Sequence, residues 1–214
     1  MLPADRVLQE MAAGLRDAQR RIARLETLET PTFGAIACLE TKTPDGVSSV
    51  TFSAISQDFL HLWLWIIASD PAETPGGTML VTFNGDTDGN YVYLSKFQTK
   101  SNGTELETVA GGTSVANALS IGKNGDTAYW GSCEVNIYNY ALFDSVATQR
   151  TITWKSWHGF EAGGEIGSIV GIGRGGGKWI NTADPITSIT VSAGGGSFTF
   201  ANGSLLTLVG ICPI

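Results

Sequence analysis

Charged side chains are scarce, at 15% of the 214 residues, against roughly a quarter in an average soluble protein. Basic ones are scarcer still: 13 Lys and Arg stand against 20 Asp and Glu, a net charge of −7. No Lys/Arg cluster occurs beyond the first 25 residues, so the electrostatic footprint of a nucleic-acid-binding surface is missing. Long apolar runs are absent too. The longest, Leu60–Ala68, has nine residues including His61, where a bilayer needs about 20, so no membrane insertion is expected. The opening M-L-P-A-D-R has no apolar stretch of the kind a secretory signal needs. Cysteine is rare. Cys38, Cys133 and Cys212 form an odd set with no C-x-x-C, which argues against a disulfide framework or a zinc site and for buried, reduced thiols.

Glycine, by contrast, is abundant and unevenly placed. Residues 1–29 hold one, Gly14, with five Arg and five acids, whereas the remaining residues hold 26. This break marks a boundary near Thr30-Pro31 and divides the chain into a segment 1–29, a linker with a first strand over 30–46, and a head over 47–214. In the first segment Pro3 suits an opening helical turn. Apolar residues then recur in steps of three and four, with Leu8, Leu15 and Ile22 at heptad position a and Met11, Ala18 and Leu25 at d. So narrow a stripe predicts a coiled coil, about 40 Å long, whose helices need partner chains to be stable in water. Arg21 falls at g and Glu26 at the following e, positions that meet across a parallel interface. The R-h-x-x-h-E spacing resembles a motif of short parallel trimeric coiled coils, which implies a homotrimer. The same stripe also fits a helix that packs on its own head or docks into a larger particle.

From Phe33 onward the pattern is β. Val50–Ile55 alternates, and Leu60–Ala68 is apolar on both faces, as for a strand between two layers. Further strands are predicted at 79–84, 91–97, 118–121, 130–143, 151–158, 166–172, 186–192, 197–200 and 205–211. Their separators are rich in Gly, Asn and Asp, including Asn84-Gly85-Asp86, Gly163-Gly164 and Gly175-Gly176-Gly177. Ser114–Ala118 fits one helical turn. Together these features predict a mainly β fold, a jelly-roll-like β-sandwich preceded by an N-terminal α-helical coiled coil, in a trimer.

Three motifs in order carry a family resemblance: Val50-Thr51-Phe52-Ser53-x-Ile55 with Phe59-x-His61-Leu62; Phe83-Asn84-Gly85-Asp86 with Asn90-Tyr91; and Ile186-Thr187-Ser188-Ile189-Thr190 with Gly194, Phe198, Ala201-x-Gly203-Ser204 and Leu208-x-Gly210-Ile211. Over Val47–Ile211 the chain resembles virion structural proteins of tailed bacteriophages: tail, fibre or minor structural proteins with a β-sandwich domain. Trp63 and Trp65 depart from that pattern, which is polar and Arg-rich after His61, and suit contact with a neighbouring subunit. The resemblance implies a virion component synthesised in a host bacterial cytoplasm. The expected function is a trimeric fibre or spike whose head contacts a host-surface glycan or caps the particle. The N-terminal helix would join it to other virion proteins. The alternatives are a capsid head-decoration or connector protein anchored by that helix, and a secreted trimeric lectin-like module.

The residues offer little catalytic chemistry, and no enzyme or cofactor is expected. Gly171-x-Gly173-x-x-Gly176 matches a dinucleotide fingerprint but is followed by Lys178-Trp179-Ile180-Asn181 and no helix, so it reads as a surface loop. His61 sits in an apolar strand and reads as structural. Asn84, Asp86, Asp88 and Asn90 alternate like calcium ligands, but position 95 is Ser where an EF-hand needs Glu. An Asx turn explains them equally well. Exposed aromatics beside turns suit sugar stacking, which marks Asp126, Tyr129 and Trp130, with Trp157 and His158 alongside, as candidate receptor-binding residues at the loop end of the sandwich.

Overall fold

Alternation of side chains across a pleat organises everything observed. In a computed structural model of the chain, residues 36–70, 78–99, 105–108, 116–120, 122–123, 130–141, 150–162, 165–181, 184–194 and 199–212 are described. The chain divides into two units, and all of these residues belong to the second, Ile36–Pro213. They form thirteen strands: β1 (Ile36–Lys42), β2 (Ser49–Phe52), β3 (His61–Asp70), β4 (Thr78–Phe83), β5 (Tyr91–Thr99), β6 (Glu105–Thr108), β7 (Ala116–Ser120), β8 (Gly122–Lys123), β9 (Gly131–Tyr138), β10 (Arg150–Ala162), β11 (Glu165–Trp179), β12 (Ile189–Gly194) and β13 (Leu205–Ile211).

The larger sheet runs β1-β13-β3-β9-β10-β11-β5-β6, with β8 alongside β3, and the smaller runs β2-β12-β4-β7. Every pairing is antiparallel except β3 with β8. Eight strands make up the two facing layers, β1, β13, β3 and β9 in one sheet and β2, β12, β4 and β7 in the other, with the chain crossing between the sheets. This is jelly-roll connectivity. The hairpins β5-β6 and β10-β11 extend the larger sheet.

One hydrophobic core fills the sandwich. Leu62, Leu64, Ile66 and Ala68 of β3, Leu206 and Leu208 of β13, and Val135 and Ile137 of β9 are buried. So are Val50, Phe52, Met79, Val81, Phe83, Ile189 and Val191 from the smaller sheet. The alternate residues of β3, namely Trp63, Trp65 and Ile67, lie on the opposite, outer face of the larger sheet. Thus β3 is apolar on both sides for two different reasons.

The fold class read from the sequence needs correcting. The described residues are mainly β, in two antiparallel sheets, and contain no helix, so no N-terminal coiled coil is seen among them. The positions assigned to it, Leu8, Met11, Leu15, Ala18, Arg21, Ile22, Leu25 and Glu26, lie outside the described residues. The trimer in that reading rested on the same heptad seam. Three smaller differences follow from pairing. Ala116–Ala118 belongs to β7, because β4 supplies a ladder partner, so no helical turn forms there. Thr199–Phe200 is not a strand, although Phe200 exchanges backbone hydrogen bonds with Gly46 and Val47 at 2.8 and 2.9 Å.

The third difference is that Gly175-Gly176-Gly177 is no loop; it lies inside β11. A Cβ on Gly175 would stand 2.2 Å from Cζ2 of Trp154, and one on Gly177 would stand 2.6 Å from the carbonyl oxygen of Val92. Both glycines face inward, where Trp154 and Tyr93 are buried, so packing excludes any side chain.

Candidate functional site

The Asn84–Asn90 segment is a structural latch. Asn84 takes a positive φ of 53°, a conformation Asn tolerates. Its Oδ1 accepts from the backbone N–H of Thr187 at 2.8 Å and of Ser188 at 3.0 Å, and its Nδ2 donates to the Pro185 carbonyl at 2.8 Å. The Asp86 carboxylate accepts from the Asp88 N–H and the Asn90 amide, both at 2.9 Å, and from the Trp179 indole at 2.6 Å. Burial pushes the Asp86 carboxyl up, but those three donors outweigh it and hold its pKa below the ordinary aspartate value. Tyr91 is pushed up to about 12, chiefly by burial, and its hydroxyl accepts from Phe83 N–H at 2.8 Å. Donors therefore occupy the Asn84 and Asp86 oxygens that a calcium ion would need. No group of three or more His, Cys, Asp or Glu able to hold a metal occurs among the described residues. The second and third resemblance motifs meet at this latch, so these residues secure the sandwich.

The candidate receptor residues do not converge. Asp126 and Tyr129 lie outside the described residues, and of His158 only its strand position is described. Trp130 is exposed and lies over Gly203, whose positive φ and missing side chain leave room for the ring. Trp157, also exposed, stands on the outer face of β10. His61 is half-buried and meets Tyr138 edge-on, with ring centroids 4.9 Å apart. Burial lowers its pKa despite a backbone hydrogen bond at Leu60. Cys133 is buried and Cys212 half-buried, but Cys38 is exposed, which corrects the expectation of three buried thiols. Burial, with the charge of Glu134, pushes the Cys133 thiol up.

What the sequence did not assemble is the outer face of the larger sheet, which the register lays out as a grid. Over β1, β13 and β3 it is apolar. Ile36, Trp65, Ile67 and Leu205 are 63%, 49%, 41% and 37% exposed, and with Trp63 and Val209 they line a groove of about 280 Å³. Trp63 and Trp65 pack edge-to-face at 5.1 Å, and the buried Nε1 of Trp63 has no hydrogen-bond partner.

Over β9, β10, β11 and β5 charged and polar positions stand among the exposed Leu94, Trp157 and Ile172. One row reads Asn136, Thr153, Gly176, Leu94, and the next reads Glu134, Lys155, Arg174, Lys96. Between these rows lies a groove of about 410 Å³, whose lining includes Asn136, Thr153, Trp154, Lys155, Arg174 and Gly176. Trp157 stands two residues beyond Lys155, on the same face.

No protein family matches the sequence, and no curated protein does. The solved structure titled "Structure of infectious bursal disease virus Gt strain" matches at 14% identity with a TM-score of 0.12, over 86% of this chain and 38% of that chain's length. A likeness of that size carries no argument.

Proposed function

We propose that the chain is a virion structural protein whose β-sandwich packs against a second copy through the apolar half of its outer face. The adjoining half, where charged and polar positions stand among the exposed Leu94, Trp157 and Ile172, contacts saccharides of the host surface. The observation that carries this reading is the division of one sheet face into those two halves. The residues of the apolar half carry no charge, so two chains of net charge −7 can meet there without opposing like charges. Its exposed area is on the order of 400 Å², the scale of the largest patches on monomers and often functional. That suits the core of an interface burying about 800 Å² per partner, its polar rim supplying the remainder. Jelly-roll connectivity supports the reading only by analogy, since viral capsid and lectin domains share it.

Two measurements on the purified full chain test the reading. Light scattering should give a self-associated mass that Trp65→Glu reduces to a monomer. A saccharide array should show binding that Trp157→Ala weakens. A wild-type monomer at high concentration overturns the assembly half, and an array without any bound saccharide overturns the recognition half.

A further inference from the structure

We infer that the groove over β9, β10, β11 and β5 binds an acidic saccharide, a sugar ring bearing a carboxylate, with Arg174 and Lys155 as the groups that recognise the charge. The inference rests on the saccharide reading above and names its ligand class and residues.

Its first support is an electrostatic conflict built into the sheet. Lys155 and Arg174 are direct cross-strand partners on the outer face, and the register places Lys96 next to Arg174. Like charges opposite one another destabilise a ladder, yet three basic positions follow one another here in a chain of net charge −7. Acids stand at both ends of the row, Glu134 in β9 and Glu107 in β6. Glu134 Oε1 accepts from Asn136 Nδ2 at 3.0 Å. Among the described residues neither Lys155 nor Arg174 forms an ion pair; the ion pair there joins Lys42 and Glu40. A carboxylate laid between them relieves the conflict. The planar guanidinium matches both carboxylate oxygens at once.

The second support is Gly176. Packing explains its two neighbours, which face the core. It does not explain Gly176, which faces outward, where a Cβ would make only ordinary contacts, 3.5 Å to the Ile152 carbonyl oxygen and 3.9 Å to Thr153 Cγ2. An interior glycine weakens a strand by roughly 0.5–1 kcal/mol relative to Ala, so this one has a cost and no packing reason. It does lower the floor of the groove.

The third support is the polar lining of the groove, where Thr153 and Asn136 offer hydrogen-bond partners for hydroxyls. Leu94, 55% exposed, and the glycine floor suit the C–H face of a ring. The groove volume lies within the range usual for ligand sites, about 300–1,000 Å³.

The test titrates trigalacturonate, its neutral trimethyl ester and inorganic phosphate into the full chain by calorimetry. Wild type should bind trigalacturonate, with the ester about tenfold weaker or worse. Arg174→Gln should lose a similar factor for the acid. Gly176→Val should fill the floor and abolish binding while thermal unfolding confirms that it folds. If acid and ester bind equally, the charge assignment is overturned and the saccharide reading stands. Phosphate binding without either sugar overturns the sugar assignment. Full affinity in both variants overturns the groove. No binding of any probe overturns the inference, while the saccharide array separately decides the broader reading.

Discussion

Replacing Gly175 by Ala, with Gly176→Ala as its neighbour control, separates two kinds of glycine in one strand. Neither position has a positive φ, so Ala is conformationally allowed at both, and each variant gains about 0.4–1 kcal/mol by restricting the unfolded chain. At 176 the new methyl makes no contact closer than 3.5 Å, and that gain stands. At 175 it would lie 2.2 and 2.5 Å from Trp154 ring carbons and 2.5 Å from the Leu94 carbonyl oxygen. The ring is held in the core against Tyr93 at a centroid distance of 6.4 Å, and the carbonyl belongs to a paired strand, so neither yields freely. Overpacking of this kind costs about 1–3 kcal/mol. In a chain of this size about 1 kcal/mol shifts Tm by roughly 2–4 °C. Differential scanning calorimetry should therefore find Gly175→Ala several degrees below wild type and Gly176→Ala at or above it. Equal Tm values, or Gly176→Ala as the less stable of the two, would refute the packing account of β11.

Three further outcomes are expected. Asn84→Ala removes the acceptor of two backbone N–H groups and puts Ala at a positive φ; urea unfolding should show a loss of about 2–4 kcal/mol, and a loss below about 0.5 kcal/mol would dismiss the latch. The Asp86 carboxyl has a depressed pKa in the folded chain, so its contribution is present above the unfolded aspartate range and is lost as pH falls below about 4. Asp86→Asn should flatten the acid limb of a stability–pH curve, and an unchanged limb would show that its three donors do not hold it. In the native protein maleimide should label Cys38 quickly and spare Cys133 until denaturant is added; early labelling of Cys133 would contradict its burial.

Local patterning made much of the sandwich legible. Val50 and Phe52 in β2, and Cys133, Val135 and Ile137 in β9, alternate inward as period two requires. Asn84-Gly85-Asp86 announced a turn. Other features depend on partners remote in sequence. The Gly175–Gly177 run looked like a loop because its reason, the Trp154 ring, is 21 residues away on the neighbouring strand. Trp63 and Trp65 showed a two-faced strand, but the register of β13 and β9 was needed to show that they share a face with Lys155 and Arg174. The expected loop-end site came from aromatics counted near turns. Only the ladder separates Trp130, over the Gly203 turn, from Trp157, beside the groove.

The most direct test of the central claim, that recognition uses the outer face of the larger sheet, is a crystal structure of the chain with bound trigalacturonate. The sugar carboxylate should lie on Arg174 and Lys155 with the ring above Gly176. A sugar bound instead at Trp130 and the Asn202-Gly203 turn would contradict the claim and return the receptor site to the loop end of the sandwich.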